Sequence, residues 1–277
     1  MLAHKWSDHR TTFPFPCHVQ PKLNGVRGLY STGIFQSRDN HVWKRAVVSH
    51  LLDELTAACP PYLILDGELY LHGKSLQQIN GAISVNRLAP SALTTEIEYH
   101  VFDCISTYDL HLPFSKRLEI LHSLQDRLVA TGGKRIKIVP TTFVAEPGLD
   151  ETLFASYRKA GFEGLMYRDS NSPYGFEEEC GNKENRWKRL LKRKEWQDDE
   201  FEIVGLEETT GDKGNQGFQL CCRTKQGATF SIGSGLSRGE LEHYLTNPPS
   251  GKLARIRYEC LSDGGIPLKP TIEAILE

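Results

Sequence analysis

The sequence changes character abruptly near Trp196, in both charge and pattern. Seven basic residues lie within 183–194, whereas seven acidic residues and no Lys or Arg lie within 195–208. At 277 residues the chain is long enough to form two domains. We therefore predict a domain boundary at this reversal, with a first domain over 1–195 and a second over 196–277.

The first predicted domain alternates strand-like apolar runs with segments of helical periodicity. Strands are predicted at 28–36, 62–71, 98–105 and 164–168. A helix is predicted over 44–58, and a second helix is predicted to start after Ser115. The apolar face of the first is Val47, Val48, Leu51, Leu52 and Leu55, and that of the second is Leu118, Leu121, Leu124 and Leu128. A third helix is predicted over 150–161, with Asp150 as the N-cap and Gly161 as a C-terminal cap.

The second predicted domain contains short strands separated by Gly-rich turns. Strands are expected at 201–207, 218–224, 228–233 and 253–260, and a capping box at 237–240 predicts one helix. Short strands with one helix in about 80 residues are typical of a small β-barrel of the OB type, which often binds nucleic-acid backbones. The expected fold class is therefore α+β with two domains.

Composition excludes several other classes of protein. No apolar run approaches the roughly 18 residues of a membrane span, and the N-terminus has no signal-peptide core, so we expect a cytoplasmic protein without membrane association. The seven cysteines are scattered and lack the paired short spacings of a zinc site, which favours reduced thiols. The net charge is −2, but phosphate binding depends on local positive potential, and the 183–194 segment supplies it.

The segment Lys22-Leu23-Asn24-Gly25-Val26-Arg27 is the strongest local candidate for a reactive site. Asn-Gly favours the left-handed backbone of a tight turn, so we predict that the strand ending near Lys22 reverses into the strand carrying Arg27. Both cations would then lie at one pocket mouth. Taken alone, the same pattern is more typical of a surface hairpin than of a reactive site.

Four further motifs gain meaning from their order along the chain. Asp66-Gly67-Glu68 ends an apolar strand, Phe102-Asp103 lies on another, and Glu163 precedes the apolar segment that Arg168 closes. Alternation along a strand places Lys192 and Lys194 on one face. Each motif alone is an ordinary turn, core strand or charged strand end, but the five together, in this order, favour a functional site.

With these motifs, the chain resembles the covalent nucleotidyltransferases, and within them the small ATP-dependent DNA ligases of viral and phage type. The nucleotidyl-lysine motif of that family, Lys-x-Asp-Gly-x-Arg, is matched by Lys22, Gly25 and Arg27, with Asn24 in place of the Asp. The resemblance implies a nucleotidyltransferase (adenylation) domain of antiparallel sheets and flanking helices, followed by a C-terminal OB-fold β-barrel. It covers nearly the whole chain.

The resemblance also implies roles for individual residues. The expected catalytic residues are Lys22, Arg27, Lys192 and Lys194, and the expected metal ligands are Glu163 and Glu68. Phe102 and Met166 are expected to contact the two faces of adenine, and Glu68 the ribose. Nucleotide binding is expected from Gln20, Lys22, Arg27, Arg38, Glu68, Phe102, Glu163, Met166, Lys192, Lys194 and Lys269. Lys269 stands where the family usually has Arg, which keeps the charge but loses the bidentate fork.

The implied function is an ATP-dependent DNA ligase that seals 5′-phosphate/3′-hydroxyl nicks in duplex DNA through a lysyl-adenylate. Its implied cofactors are ATP and Mg²⁺, with Mn²⁺ as an alternative, and its implied partner is nicked double-stranded DNA. We expect a monomer in the cytoplasm of a bacterial or phage-infected cell, or a virus-encoded enzyme. The alternatives are an RNA ligase or an mRNA-capping guanylyltransferase with the same lysine chemistry, and an inactive nucleic-acid-binding module.

Overall fold

The computed structural model describes residues 2–175, 186–210 and 216–276, and it divides the chain after Arg193 into two units, Met1–Arg193 and Lys194–Glu277. This division falls two residues before the boundary predicted from the charge reversal. One of the seven cysteines, Cys180, and the first basic residue of the 183–194 segment, Lys183, lie outside the described residues. Among the described helices, none has the length and apolar character needed to cross a membrane.

The first unit contains two five-stranded sheets. Sheet A has, in spatial order, β1 (Leu2–Lys5), β10 (Arg186–Lys194), β9 (Gly164–Asp169), β2 (Cys17–Lys22) and β8 (Thr142–Val144). Sheet B has β4 (Ile34–Ser37), β3 (Val26–Ser31), β5 (Leu63–Tyr70), β6 (Glu98–Ser106) and β7 (Ile136–Ile138). Most of the strand pairs in these sheets are antiparallel, as the resemblance implied, but β1 pairs with β10 and β6 pairs with β7 in parallel.

Helices flank these sheets and bury the faces that the periodicity predicted. They are α1 (Trp6–His9), α2 (Arg45–Ala58), α3 (Leu76–Ile83), a 3-10 turn (Thr94–Glu96), α4 (Phe114–Ala130) and α5 (Asp150–Lys159). Leu51 and Leu55 of α2 and Leu121 and Leu124 of α4 are buried in one apolar cluster with sheet B. That packing holds sheet B rigid beneath the residues of the site described below.

Two predicted elements differ from the structure. The strand expected at 28–36 is a hairpin, because Thr32 and Gly33 both have positive φ, of 43° and 84°, and turn the chain between β3 and β4. Asp150 is the first helical residue of α5 rather than its N-cap. Its carboxylate instead accepts hydrogen bonds from the Tyr167 hydroxyl at 2.5 Å and from Arg193 at 3.2 Å.

The predicted hairpin between Lys22 and Arg27 was also wrong. The strand ending at Lys22 belongs to sheet A and the strand carrying Arg27 belongs to sheet B, so the intervening segment crosses between sheets. Neither Asn24 nor Gly25 has a positive φ. A Cβ on Gly25 would lie 2.4 Å from the Leu69 carbonyl oxygen, so this glycine is needed for close approach to β5 rather than for a left-handed turn.

The second unit is built on one sheet with the order β13 (Thr229–Ile232), β12 (Gln216–Arg223), β11 (Gln197–Thr210), β14 (Leu253–Tyr258) and β17 (Thr271–Leu276). A short pair, β15 (Cys260–Leu261) and β16 (Pro267–Leu268), and helix α6 (Arg238–Thr246) complete it. The predicted capping box is confirmed, since Ser237 and Glu240 bond reciprocally. In the described part of this unit the edge strands β13 and β17 do not pair, so the sheet is not a closed barrel.

Candidate active site

A cavity of about 200 Å³ lies between sheets A and B of the first unit. Its polar lining consists of Gln20, Lys22, Arg27, Asp66, Glu68, Arg168 and Lys192. Its apolar lining consists of Leu2, Ala3, Pro21, Leu23, Phe102, Met166 and Leu190. Seven of the eleven residues predicted to bind the nucleotide therefore line one cavity, although they come from strands of two different sheets.

Lys22 ends β2 at the mouth of this cavity and is paired with Glu163. Its Nζ donates to Glu163 Oε2 at 2.5 Å, and the Glu163 backbone N–H donates to the Lys22 carbonyl at 3.0 Å. The antiparallel register sets Lys22 opposite Gly164, so the end of β2 and the start of β9 bring the two residues together. Both side chains are only about one-fifth exposed, at 19% and 18%. A lysine and a carboxylate are thus held together at a site large enough for a ligand.

Glu68 approaches the same position from sheet B. Its Oε1 accepts a hydrogen bond from the Gly25 N–H at 3.1 Å. Burial raises the pKa of the Glu68 carboxyl to about 7, while Lys22, the Gly25 N–H and Arg27 act in the opposite direction. The carboxyl is therefore poised to change charge near neutral pH when a cation or an anion enters the cavity.

Arg27 is fixed by a buried acid. Its Nε and one terminal nitrogen donate to the two carboxylate oxygens of Asp66 at 2.8 and 2.7 Å, and the Tyr174 hydroxyl donates to the same carboxylate at 2.8 Å. Burial alone lowers the pKa of the guanidinium, but the Asp66 charge outweighs it and holds that pKa above its ordinary value. Arg27 is a permanent, oriented cation at the cavity wall.

A β-bulge in β6 directs Phe102 toward the cavity. Asp66 pairs with Asp103 and Gly67 pairs with Val101, so Phe102 has no partner across β5. The extra residue interrupts the strand alternation, and Asp103 comes to face the same side as the cavity-lining Asp66. Phe102 from sheet B and Met166 from sheet A supply apolar lining from opposite walls.

A buried polar network supports Phe102 from behind. Asp103 accepts hydrogen bonds from Arg117 at 2.7 and 3.1 Å and from Arg168 at 2.7 Å. Arg168 also donates to Gln20 Oε1 at 2.6 Å, and its guanidinium lies 5.2 Å from the Phe102 ring centroid. Gln20 in turn donates to the Phe102 carbonyl at 3.0 Å. The ring is therefore held by its backbone and by the cation on its face.

Sequence reasoning named Asp66, Asp103 and Arg168 within motifs but gave them no role in the site, and it did not name Tyr174. The available signal was an acidic residue inside each of two apolar strands, because a buried carboxylate needs a partner. Tyr174 gave no such signal, since its partners Arg27 and Asp66 are more than 100 residues away in sequence.

The four other predicted nucleotide-binding residues are not among the cavity-lining residues. Glu163 contacts Lys22, as described above. Arg38 lies on an exposed turn after β4, 3.5 Å from Asp39. Lys194 and Lys269 belong to the second unit, where both donate to Glu259 Oε2, at 2.9 and 2.8 Å.

Lys269 has a backbone conformation that is unfavourable for a lysine. Its φ is 52°, in the left-handed region that non-glycine residues seldom adopt. Strain of this kind persists only where surrounding contacts fix it, and it occurs often at functional positions. The shared contact of Lys194 and Lys269 with Glu259 sets their ammonium groups side by side.

The carboxylates near Lys22 suit Mg²⁺, which keeps water and substrate oxygens among its ligands, better than a metal ion whose ligands are all protein side chains. The described residues contain no group of three or more His, Cys, Asp or Glu side chains suited to one metal ion. Glu163 bonds to the Lys22 ammonium, and Glu68 interacts with it electrostatically. Mg²⁺ takes one or two carboxylates and completes its shell with water and substrate phosphates, which matches this pair of oxygen donors.

Comparisons with known proteins show the family to which this chain belongs. The model of the ATP dependent DNA ligase domain matches residues 1–194. The DNA ligase of African swine fever virus, strain Badajoz 1971 Vero-adapted, is 32% identical over 210 residues, which cover 71% of this chain and 45% of that protein. The DNA ligase of isolate Tick/Malawi/Lil 20-1/1983 of the same virus is 33% identical over 205 residues, with the same coverage. This chain spans about half the length of the curated relatives it matches.

Solved structures show the same fold. A structure from a study of how Lig E DNA ligases bind DNA with a minimal scaffold matches with a TM-score of 0.79 and 21% identity, covering 100% of this chain and 98% of that one. The Chlorella virus DNA ligase-adenylate matches with a TM-score of 0.54 and 23% identity, covering 100% and 97%. Since the domain model matches residues 1–194, well over half of the sequence, the chain belongs to the ATP-dependent DNA ligase domain family.

Proposed function

We propose that this chain is an ATP-dependent DNA ligase that seals 5′-phosphate/3′-hydroxyl nicks in duplex DNA through a lysyl-adenylate. The observation that carries the proposal is Lys22, paired with Glu163 at the mouth of a cavity whose walls carry the other nucleotide motifs. Membership of the DNA ligase family supports DNA over RNA as the substrate, and ATP over GTP as the nucleotide.

The first step forms the enzyme–adenylate. An ammonium has no lone pair, so Lys22 must lose a proton before it attacks. Glu163 Oε2 at 2.5 Å is placed to accept that proton and, because its side chain is 18% exposed, to release it to water, which leaves the carboxylate ionised for a metal. The Lys22 Nζ–phosphorus bond then forms at the α-phosphate as the bond to the pyrophosphate oxygen breaks. Mg²⁺, held through Glu163 and Glu68, would offset the charge on the phosphate oxygens when bound.

Adenine binding is assigned to the apolar walls of the cavity. Phe102 and Met166 line the cavity from different sheets, and we assign the flat base to the space between them. Gln20 is fully engaged with Phe102, Thr141 and Arg168, so we assign it to holding Phe102 rather than to reading the base directly. Glu68 is assigned to the ribose side of the site.

The cationic residues are assigned to the phosphates. Arg27 and Lys192 line the cavity and would bind the α-phosphate region. Lys194 and Lys269 are held together by Glu259, and we assign Lys269 to orienting the departing pyrophosphate. Arg38 remains assigned to the nucleotide on the strength of the family resemblance alone.

The later steps require DNA, which we assign to both domains. We propose 1–195 as the nucleotidyltransferase domain and 196–277 as an OB-fold domain. The five-stranded sheet of the second unit supports this, as does the hydrogen bond from the Ile272 N–H to the Ser234 carbonyl at 3.0 Å, which joins the segment after β13 to β17. AMP would pass from Lys22 to the 5′-phosphate, and the 3′-hydroxyl would then displace it.

The setting in which the enzyme works is also a proposal. We propose a monomer that acts on nicked duplex DNA in the cytoplasm of a bacterial or infected cell, or as a virus-encoded enzyme. The viral DNA ligases among its relatives support the latter.

The proposal is tested with matched nicked substrates. A duplex with a 5′-phosphorylated nick, incubated with the protein, ATP and Mg²⁺, should yield the sealed strand, and Lys22→Ala should yield none. Faster joining of single-stranded RNA than of the DNA nick, at equal enzyme concentration, would overturn the DNA assignment in favour of an RNA ligase.

A further inference from the structure

Arg193 lies between the two motif lysines of β10 and makes several polar contacts with one helix. Two of its terminal nitrogens donate to the two Glu151 carboxylate oxygens at 2.9 and 2.8 Å, and one also reaches Asp150 at 3.2 Å. The guanidinium lies 4.2 Å from the Phe154 ring centroid. All three partners belong to α5, so Arg193 attaches the end of β10 to that helix.

The alternation of β10 gives this attachment its significance. Leu190 and Lys192 line the cavity, whereas Leu191 is buried in the apolar cluster that Phe154 also joins. Because side chains alternate along a strand, Arg193 lies on the same face of β10 as Leu191. Whatever fixes Arg193 on the α5 side therefore fixes the direction of the neighbouring Lys192 on the cavity side.

The anchor on α5 is itself rigid. Asp150 is buried and accepts the Tyr167 hydroxyl at 2.5 Å, and Tyr167 lies on β9, the strand next to β10 in sheet A. Arg193 thus connects to a helix that is already bonded to the same sheet. The first unit ends at Arg193, so this contact lies at its C-terminal end.

Arg189 on the same face of β10 provides a contrast. It makes a 3.2 Å ion pair with Asp169, but its side chain is 51% exposed, whereas that of Arg193 is 20% exposed. A single exposed pair contributes little to position, while a bidentate, partly buried guanidinium stacked on a ring is geometrically specific. The two arginines are therefore a matched test pair.

We propose that Arg193 is a positioning residue for adenylation: by gripping Glu151, Asp150 and Phe154 it holds Lys192 at the α-phosphate. This inference rests on the proposed function, because it gives Lys192 a phosphate to bind. Arg193 touches no substrate itself and acts only through its neighbour.

The first test separates positioning from binding. In single-turnover adenylation with labelled ATP, Arg193→Gln should lower the rate constant at saturating ATP about tenfold and change the apparent KM less than about threefold, because a displaced catalytic group mainly slows chemistry. Arg189→Gln should stay within about twofold of wild type. Arg193→Lys should be intermediate, since it keeps the charge and loses the fork.

A second variant tests the proposal even if Arg193→Gln misfolds. Glu151 is 66% exposed, so Glu151→Ala should fold normally and still slow adenylation in the same direction as Arg193→Gln, because it removes the bidentate partner. A Glu151→Ala enzyme that adenylates at the wild-type rate would overturn the proposal.

The decisive measurement is a double-mutant cycle with Lys192. If Arg193 acts through Lys192, Arg193→Gln should cost less than about twofold in a Lys192→Ala background, although it costs about tenfold alone. Equal costs in both backgrounds would show that Arg193 only supports the fold and would contradict the proposal. A wild-type enzyme that forms no adenylate would overturn the proposed function itself, and the Arg193 proposal with it.

Discussion

Lys22 Nζ lies 2.5 Å from Glu163 Oε2, and the Glu163 backbone N–H donates to the Lys22 carbonyl at 3.0 Å. Two hydrogen bonds thus join these residues, one between side chains and one between a backbone amide and a carbonyl. The side-chain pair keeps the lysine at the cavity mouth and gives it a proton acceptor. It also means that a metal entering through Glu163 must compete with the ammonium for the same carboxylate.

Glu163→Ala should impair both formation of the enzyme–adenylate and sealing by enzyme that is already adenylated. We expect a loss of about 100-fold in each step, typical of removing one group that stabilises charge in a phosphoryl transfer. Quenched-flow assays of each step with labelled substrate measure this. The exposed Glu146 provides the control, and a Glu163→Ala enzyme that loses only one of the two steps would contradict the double role.

Phe102→Ala should raise the KM for ATP about tenfold, because stacking of a base on an aromatic ring contributes roughly 1–3 kcal/mol. Phe102→Tyr should remain within about twofold, since it keeps the ring. Phe143, which is 58% exposed on β8, is the matched control. An unchanged KM in Phe102→Ala would remove Phe102 from the adenine site.

Asp103→Asn should destabilise the protein by about 3 kcal/mol at neutral pH, because it leaves the buried guanidinium groups of Arg117 and Arg168 without their counter-ion. Burial by itself raises the pKa of the Asp103 carboxyl, but the two arginines outweigh it and hold that pKa below its ordinary value of 3.8. The folded state therefore favours the ionised form, and the stabilisation is fully present above about pH 3.8.

Denaturant titrations of wild type and Asp103→Asn at several pH values test the direction of this pH dependence. The difference in unfolding free energy should be constant at neutral pH and should shrink as the pH falls below 3.8. A difference that grows with acidity would mean that the folded protein holds Asp103 protonated.

Lys269→Ala should slow adenylation about tenfold and leave sealing of a pre-adenylated nick within about twofold, because a lysine that orients pyrophosphate serves only the first step. The exposed Lys252 of the same unit is the control for general loss of charge. If Lys269→Ala adenylates at the wild-type rate but fails to seal pre-adenylated DNA, the assignment to pyrophosphate is wrong.

Local chemistry made part of this fold predictable. The Ser237–Glu240 capping box and the buried face of α2 follow from residue types at short spacings, and both are confirmed. The prediction of a single strand at 28–36 was wrong because Thr32 adopts a positive φ, which threonine disfavours. The residue types therefore gave no strong signal for a hairpin turn there.

Long-range geometry explains what the sequence could not predict. Gly25 was interpreted through its turn propensity, but its role is set by the Leu69 carbonyl, which approaches from another strand. The bulge at Phe102 and the contact of Tyr174 with Asp66 depend likewise on pairing between distant segments. The family resemblance named seven of the cavity-lining residues, whereas the supporting network required the three-dimensional fold.

The central claim is that Lys22 carries AMP covalently, and labelling with radioactive ATP followed by denaturing electrophoresis tests it most directly. Wild type should form a labelled band, Lys22→Ala none, and the labelled peptide should contain Lys22. The label should be lost on addition of pyrophosphate, which reverses the step. A labelled Lys22→Ala protein, or an adduct that forms with GTP and not with ATP, would contradict the account.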